Sequence, residues 1–333
     1  MRKTIGVVVG IVLIFFIAGT TYAKPAKVIK WKMQCTCPAN DLTYKLLPHF
    51  TKLVTEKSGG RFQITAYPAN ELVKVPDTLK ACGRGMVNMV NSVGAYWKGM
   101  IPEAEIEFML PMSWVDQLEV YSNFDYGLRD FFRDSYAKHG IYYLQEVPFG
   151  NWGLFSNKPI RKIEDFKGIK LRATGAQEGF LAELGASTIF LPVAEIYTAL
   201  QLGTVDAAGM SPHAWTGMNY KDVAKYYIQN PPLGICTGHL LVNSKDWEAL
   251  PDDLKNVLGW AAEHYIRIIS SEYNNDQRMI EASMEPGRSI VLPPEEVAKM
   301  RKRAVKVWDD IAKKSPRCAE AVKMVKDYLS DKR

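Results

Sequence analysis

The sequence predicts an α/β fold with two lobes. Short apolar strands alternate with amphipathic helices along most of the chain. One helical pattern, Pro251–Met284, would run roughly 50 Å, longer than a small domain, and can brace two lobes. An apolar share of 47% over 333 residues is enough for one large core or two ordinary ones.

The elements follow in order. Val28–Met33 reads as a strand, and Leu42–Lys57 as a helix with Leu46, Leu47, Phe50 and Val54 on one face, closed by Gly59-Gly60 at the left-handed cap. Arg61–Tyr67 is a strand, Asp77–Gly83 a helix and Val87–Val93 a third strand. Gln117–His139 is mostly helical, and Gly140 releases the chain into the strand Ile141–Val147. A second set has strands at Trp152–Asn157 and Ile169–Ala173, then helices at Gln177–Leu184 and Ala194–Leu202. Weaker strand signals lie at Asp206–Met210 and Leu240–Asn243. Pro251 suits a first helical position, Asp252 and Asp253 favour the positive helix end, and Pro286-Gly287 stops the long helix. Pro294–Lys314 and Pro316–Leu329 are the closing helices. No linker rich in Gly, Ser or Pro separates the halves, so the chain is expected to pass between lobes more than once. The division expected is 24–148 for lobe I with a return at about 231–250, 149–230 for lobe II, 251–284 for the spanning helix, and 285–333 for a C-terminal strand and helices.

Ahead of this lies an export signal. Arg2 and Lys3 precede the apolar run Ile5–Ala18, and small and polar residues end at Thr21-Tyr22-Ala23. The run falls short of the roughly 20 apolar residues a membrane span needs, so cleavage after about Ala23 and a periplasmic location are expected.

Several function classes are excluded by composition and spacing. A net charge of +6 over this length gives no support for nucleic-acid binding. Five cysteines without paired CxxC spacing argue against a zinc module or a disulfide scaffold, and their pairing is left open. GxSxG, HExxH, P-loop and GxGxxG motifs are all absent, and His49, His139, His213, His239 and His264 have no metal-ligand spacing. No catalytic set is expected, and an exported α/β chain without one suggests a binder rather than an enzyme.

The segment Ile160–Pro212 contains IEDFKGIKLR, then LGA, then EIYTALQLGTVDAAG before Met210-Ser211-Pro212. In combination these resemble the solute-binding proteins of tripartite ATP-independent periplasmic (TRAP) transporters, the DctP-like family. Ser58-Gly59-Gly60-Arg61, Lys225-Tyr226-Tyr227 and Val242-Asn243 with Trp247-Glu248-Ala249-Leu250-Pro251 extend the resemblance along the chain. The DAA sequence and Lys225-Tyr226-Tyr227 lean toward the keto-acid-binding branch. The resemblance implies a two-lobed, periplasmic-binding-protein-like fold with a cleft and a long helix spanning both lobes. It also implies delivery of a captured organic anion to TRAP membrane permease subunits. Its C-terminal helices resemble those of a branch that dimerises by helix exchange, which leaves a homodimer open.

Within that frame Arg172 is the leading ligand residue. It ends a strand and precedes Gly175, and its guanidinium presents a planar fork that fits a carboxylate. Position alone favours a surface arginine in an ion pair; the family pattern reverses that in favour of the carboxylate. Arg172→Ala is expected to abolish binding and leave the melting temperature of the unliganded protein nearly unchanged. The first lobe is expected to add Cys37 from the loop Cys35–Asn40, Glu71, and Tyr96 with Trp97. The second is expected to add Asn151, Trp152, Met210 and the stretch Ser211–Trp215, including Trp215 itself. The aromatic residues and Met210 would suit a core as well as a cleft wall. Keto-acid members usually carry a glutamine and a glutamate where this chain has Trp152 and Gly209, so no intrinsic metal or cofactor is expected. One arginine in an apolar cleft points to a small monoanion, a monocarboxylate or 2-oxo acid that could be aromatic or branched. The alternatives are a sulfonate as the solute, or a sensing subunit that reports to a membrane kinase.

Overall fold

The computed structural model describes residues 27–230 and 233–331, so the proposed export signal lies outside the described residues. Ten strands form one curled sheet: β1 (Ile29–Cys35), β2 (Phe62–Tyr67), β3 (Met89–Ser92), β4 (Ile141–Ser156), β5 (Lys170–Arg172), β6 (Ser187–Ile189), β7 (Ala207–Met210), β8 (Tyr226–Asn230), β9 (Gly234–Asn243) and β10 (Ser289–Val291). The path is β2-β1-β3-β9-β4-β7-β5-β6, with β8 pairing both β4 and β10. β1 pairs in parallel with β2 and β3, the helix Leu42–Lys57 providing the crossover from β1 to β2. β3 and β9 are buried along their whole length, as strands covered on both faces should be.

β4 joins the two halves of the sheet. The sequence suggests two strands here, Ile141–Val147 and Trp152–Asn157; the structure has one continuous strand. Its first half pairs with β9, and its second half pairs with β7 and β8. The register slips between Pro148 and Asn151, where proline has no N–H to give and Gly150 takes φ +82°. A sequence gap between strand patterns is thus a bend within one strand.

Most helices fall within a residue or two of expectation. The Gln117–His139 pattern is divided, into Gln117–Asn123 and Arg129–Ala137, by a wide turn at Phe124–Leu128 in which Gly127 has φ +120°. β6 and β8 and the short helix Ala104–Phe108 were not expected; they are three to five residues long and too short to carry a period.

The long helix Asp252–Ser283 has 32 residues, about 48 Å at 1.5 Å per residue. It packs on helix Leu42–Lys57 and on β4, burying Leu258, Ala261, Tyr265, Ile269 and Tyr273. Tyr273 Oη lies 2.7 Å from Thr43 Oγ1, and its ring centroid is 6.0 Å from that of Phe149, just before the β4 bend. Among the described residues, no helix is long and apolar enough to cross a membrane.

Candidate functional site

A small cavity of about 30 Å³ lies where the two halves of the sheet meet. One water needs roughly 10–15 Å³ by the same measure, so the space suits only a few heavy atoms as the walls stand. Its wall is drawn from the end of β1 (Thr36, Cys37), the start of the first helix (Asp41, Thr43), β3 (Asn91, Ser92), the β4 bend (Phe149, Trp152), β5 (Arg172, Thr174) and the segment after β7 (Ser211, His213). Tyr273 of the long helix closes one side.

Arg172 is wholly buried. Its Nε donates to the carbonyl of Leu191 at 2.9 Å and its Nη1 to that of Gly209 at 3.1 Å, which fixes the fork. Nη2 has no protein partner. Burial pulls the guanidinium below its ordinary pKa, opposed by the neighbouring Tyr96 and Tyr220. The ring of Trp152 lies 5.9 Å from the guanidinium carbon and meets Phe108 edge-on. Three more buried polar atoms in the same wall lack protein partners: Trp152 Nε1, Asn91 Nδ2 and Thr174 Oγ1. Each would be costly to bury unpaired, so four residues of one small wall each carry a buried group able to donate that no protein atom satisfies.

A second polar set shares the wall. Asp41 caps the first helix, accepting from the Thr43 backbone N–H at 2.7 Å, and its other oxygen lies 3.1 Å from His213 Nε2. His213 Nδ1 lies 2.5 Å from Ser211 Oγ. Burial resists ionisation of Asp41, but the nearby His213 and hydrogen bonds from it and from Thr43 hold its pKa below the ordinary value. In composition this is a serine–histidine–aspartate chain, a set the sequence does not announce because 172 residues separate its aspartate from its histidine. It ties the start of the first helix to the segment after β7.

Of the nine residues nominated from sequence, Arg172, Trp152, Ser211, Tyr96, Met210 and Cys37 line the cavity. Three do not. Trp215 is core: it stacks on Phe155 at 6.0 Å, with Arg288 over the ring at 4.3 Å. Asn151 alternates with Trp152 on β4, so only one of the pair can face the space. Glu71 sits exposed on the loop after β2. Trp97 is also core, donating to Tyr136 Oη at 3.0 Å and stacking on His239. Burial changes one further expectation: Arg172→Ala would strand the Leu191 and Gly209 carbonyls and so cannot be thermally silent. All five cysteines are free thiols. Burial and the Cys35 sulfur, the latter first, raise the Cys37 pKa well above its ordinary value.

Asp41, Asn91, Thr174 and Tyr273 were missed. Asp41 carries a readable signal, since an aspartate one residue before a helix pattern is a cap and places its side chain at that helix end. His213 lay inside the nominated stretch without being singled out. Asn91 and Thr174 give no local signal at all.

Residues 33–315 match the family described as bacterial extracellular solute-binding protein, family 7, or DctP. A monocarboxylate 2-oxoacid-binding periplasmic protein of Nostoc sp. is 26% identical over 240 residues, 69% of this chain and 64% of its own length. The chain therefore matches a little under two thirds of that relative. A TRAP periplasmic solute-binding protein of Chromohalobacter salexigens, solved with (S)-(+)-2-amino-1-propanol, superposes with a TM-score of 0.85 at 25% identity over 91% of this chain and 96% of that one. Another, of Pseudoalteromonas atlantica with sodium and pyruvate, gives 0.83 at 26% identity over 92% and 95%. These neighbours share the two-lobed α/β architecture. From the match along most of its length, this chain belongs to the DctP family of extracellular solute-binding proteins.

Proposed function

We propose that this protein captures a small organic monoanion in the inter-lobe cavity and delivers it to a TRAP-type permease from the periplasm, its export signal being cut after about Ala23. The observation that carries the reading is that four residues lining one buried space, Arg172, Trp152, Asn91 and Thr174, each hold a buried donor without a protein partner: Nη2, Nε1, Nδ2 and Oγ1. A carboxylate takes a guanidinium fork and can accept further hydrogen bonds on its remaining lone pairs. The relatives that bind pyruvate or 2-oxo acids support the same chemistry. Phe108, Phe149, Val93, Val193 and Met210 supply apolar walls, which a second anionic group on the ligand would find without a partner.

Capture in this reading is lobe closure. In this reading the described residues of 24–148 with the β9 return form one lobe and 149–230 the other, hinged at the β4 bend and braced by the long helix. A ligand touching both lobes favours the closed state. No turnover of the ligand is part of the reading. A thermal-shift screen of small acids tests it: a monocarboxylate at one hundred times its dissociation constant should add about 2.7 kcal/mol of apparent stability. Stabilisation by succinate with indifference to every monoacid would overturn it.

A further inference from the structure

The cavity is small, and most of its large side chains are held in place. Two carbonyls fix Arg172, and Tyr273 meets Thr43 at 2.7 Å. The Phe149 ring fills the ground that a side chain on Gly238 would need, 2.4 Å from where a Cβ would stand. None of these three can withdraw without losing a bond or a close fit. The volume of about 30 Å³ holds two or three waters, whereas a cavity that admits a benzene ring is on the order of 150 Å³.

Trp152 is held differently. Its carbonyl accepts from the Leu233 N–H at 2.7 Å, which fixes the backbone just after the β4 bend. The ring lies 5.9 Å from the Arg172 guanidinium carbon and 5.7 Å from the ring of Phe108. Its indole nitrogen has no protein partner, so removing the side chain breaks no hydrogen bond inside the protein. The space vacated exceeds that of a phenyl ring, because an indole is the larger group. Of the large wall residues it is the one that fills volume beside the guanidinium without being bonded there.

We propose that Trp152 sets the size limit of the site, so that it takes short monocarboxylates of about two or three carbons and rejects those carrying an aromatic ring. The proposal rests on the organic-anion reading above and narrows it. An acid held by Arg172 has the indole beside it, and a ring on that acid competes with the indole for the same ground. A single methylene too many in a fitted pocket already costs about tenfold or more in discrimination. Trp152 therefore acts as a specificity residue, and Arg172 holds the carboxylate whatever the acid's length.

The test is calorimetric titration of the full mature chain with two matched pairs, propionate with 3-phenylpropionate and pyruvate with phenylpyruvate. Within each pair the acids differ only by the ring. In at least one pair the short acid should bind at least tenfold more tightly than its phenyl counterpart. Trp152→Ala should shift that ratio at least tenfold toward the phenyl acid, whereas a general loss of structure would weaken both and leave the ratio alone. Trp152→Leu, which keeps an apolar wall, gives the same readout where the alanine variant does not fold. A preference below tenfold in both pairs for the wild type, or a shift below tenfold in both variants, would overturn the inference and leave the organic-anion reading standing. Failure of all four acids to bind the wild type would overturn that reading itself.

Discussion

Replacing Asp41 by alanine removes two bonds at once. The side chain caps the first helix at 2.7 Å from the Thr43 N–H, and it meets His213 Nε2 of the segment after β7 at 3.1 Å. Loss of a cap costs about 1 kcal/mol, and a buried imidazole N–H left without an acceptor costs about 1–3 kcal/mol. The unliganded variant should therefore be about 2–4 kcal/mol less stable at pH 7. Asp41→Asn retains a good capping oxygen and should lose less than the alanine variant. The pH dependence has a fixed sign. Because the folded state depresses the Asp41 pKa, its ionised form contributes stability above the unfolded value of about 3.9, and the contribution drains away as pH falls through the folded value. Wild type and Asp41→Asn should therefore converge in acid below about pH 4. Urea denaturation at pH 7 and in acid, followed by circular dichroism, reads all three proteins. An Asp41→Ala protein within 0.5 kcal/mol of wild type at pH 7 would refute the bonding described here.

Other outcomes follow from the same geometry. Gly238→Ala would place a Cβ 2.4 Å from the Ser92 carbonyl and from the Phe149 ring, so it should abolish soluble expression or lower the melting temperature sharply, as a thermal scan would show. Arg61→Ala breaks the half-exposed pair with Asp253 and the Nε bond to the Ser58 carbonyl, and should change stability by under about 2 kcal/mol in the same denaturation assay. Cys37 lines the cavity with a raised pKa, so iodoacetamide should label it slowly at pH 8, and a saturating acid ligand should slow labelling further.

Local patterns in the sequence carried much of the architecture because helices obey a period and strands of five or more residues leave an apolar trace. Leu42–Lys57 and the long helix were readable from their caps and their buried faces alone. The single 16-residue β4 was not, since Pro148 and Gly150 look like punctuation and act as a bend. Three-residue strands such as β6 owe their existence to a neighbour, here β5, and leave no signal of their own. The site divides the same way. Arg172 and Trp152 were visible through their chemistry and the family pattern, whereas Trp215 was misplaced because an aromatic beside a ligand segment packs equally well against Phe155. The partnership of Asp41 with His213 is tertiary, and nothing along the chain places one near the other.

The account stands on Arg172 holding a ligand carboxylate. Calorimetric titration of Arg172→Ala with the tightest-binding monocarboxylate tests that most directly. The charge-assisted hydrogen bond from the unpartnered Nη2 is lost, worth about 1.5–3 kcal/mol, so affinity should fall at least tenfold even after the stranded Leu191 and Gly209 carbonyls have lowered the melting temperature. A folded Arg172→Ala protein that binds the acid within threefold of wild type would contradict it.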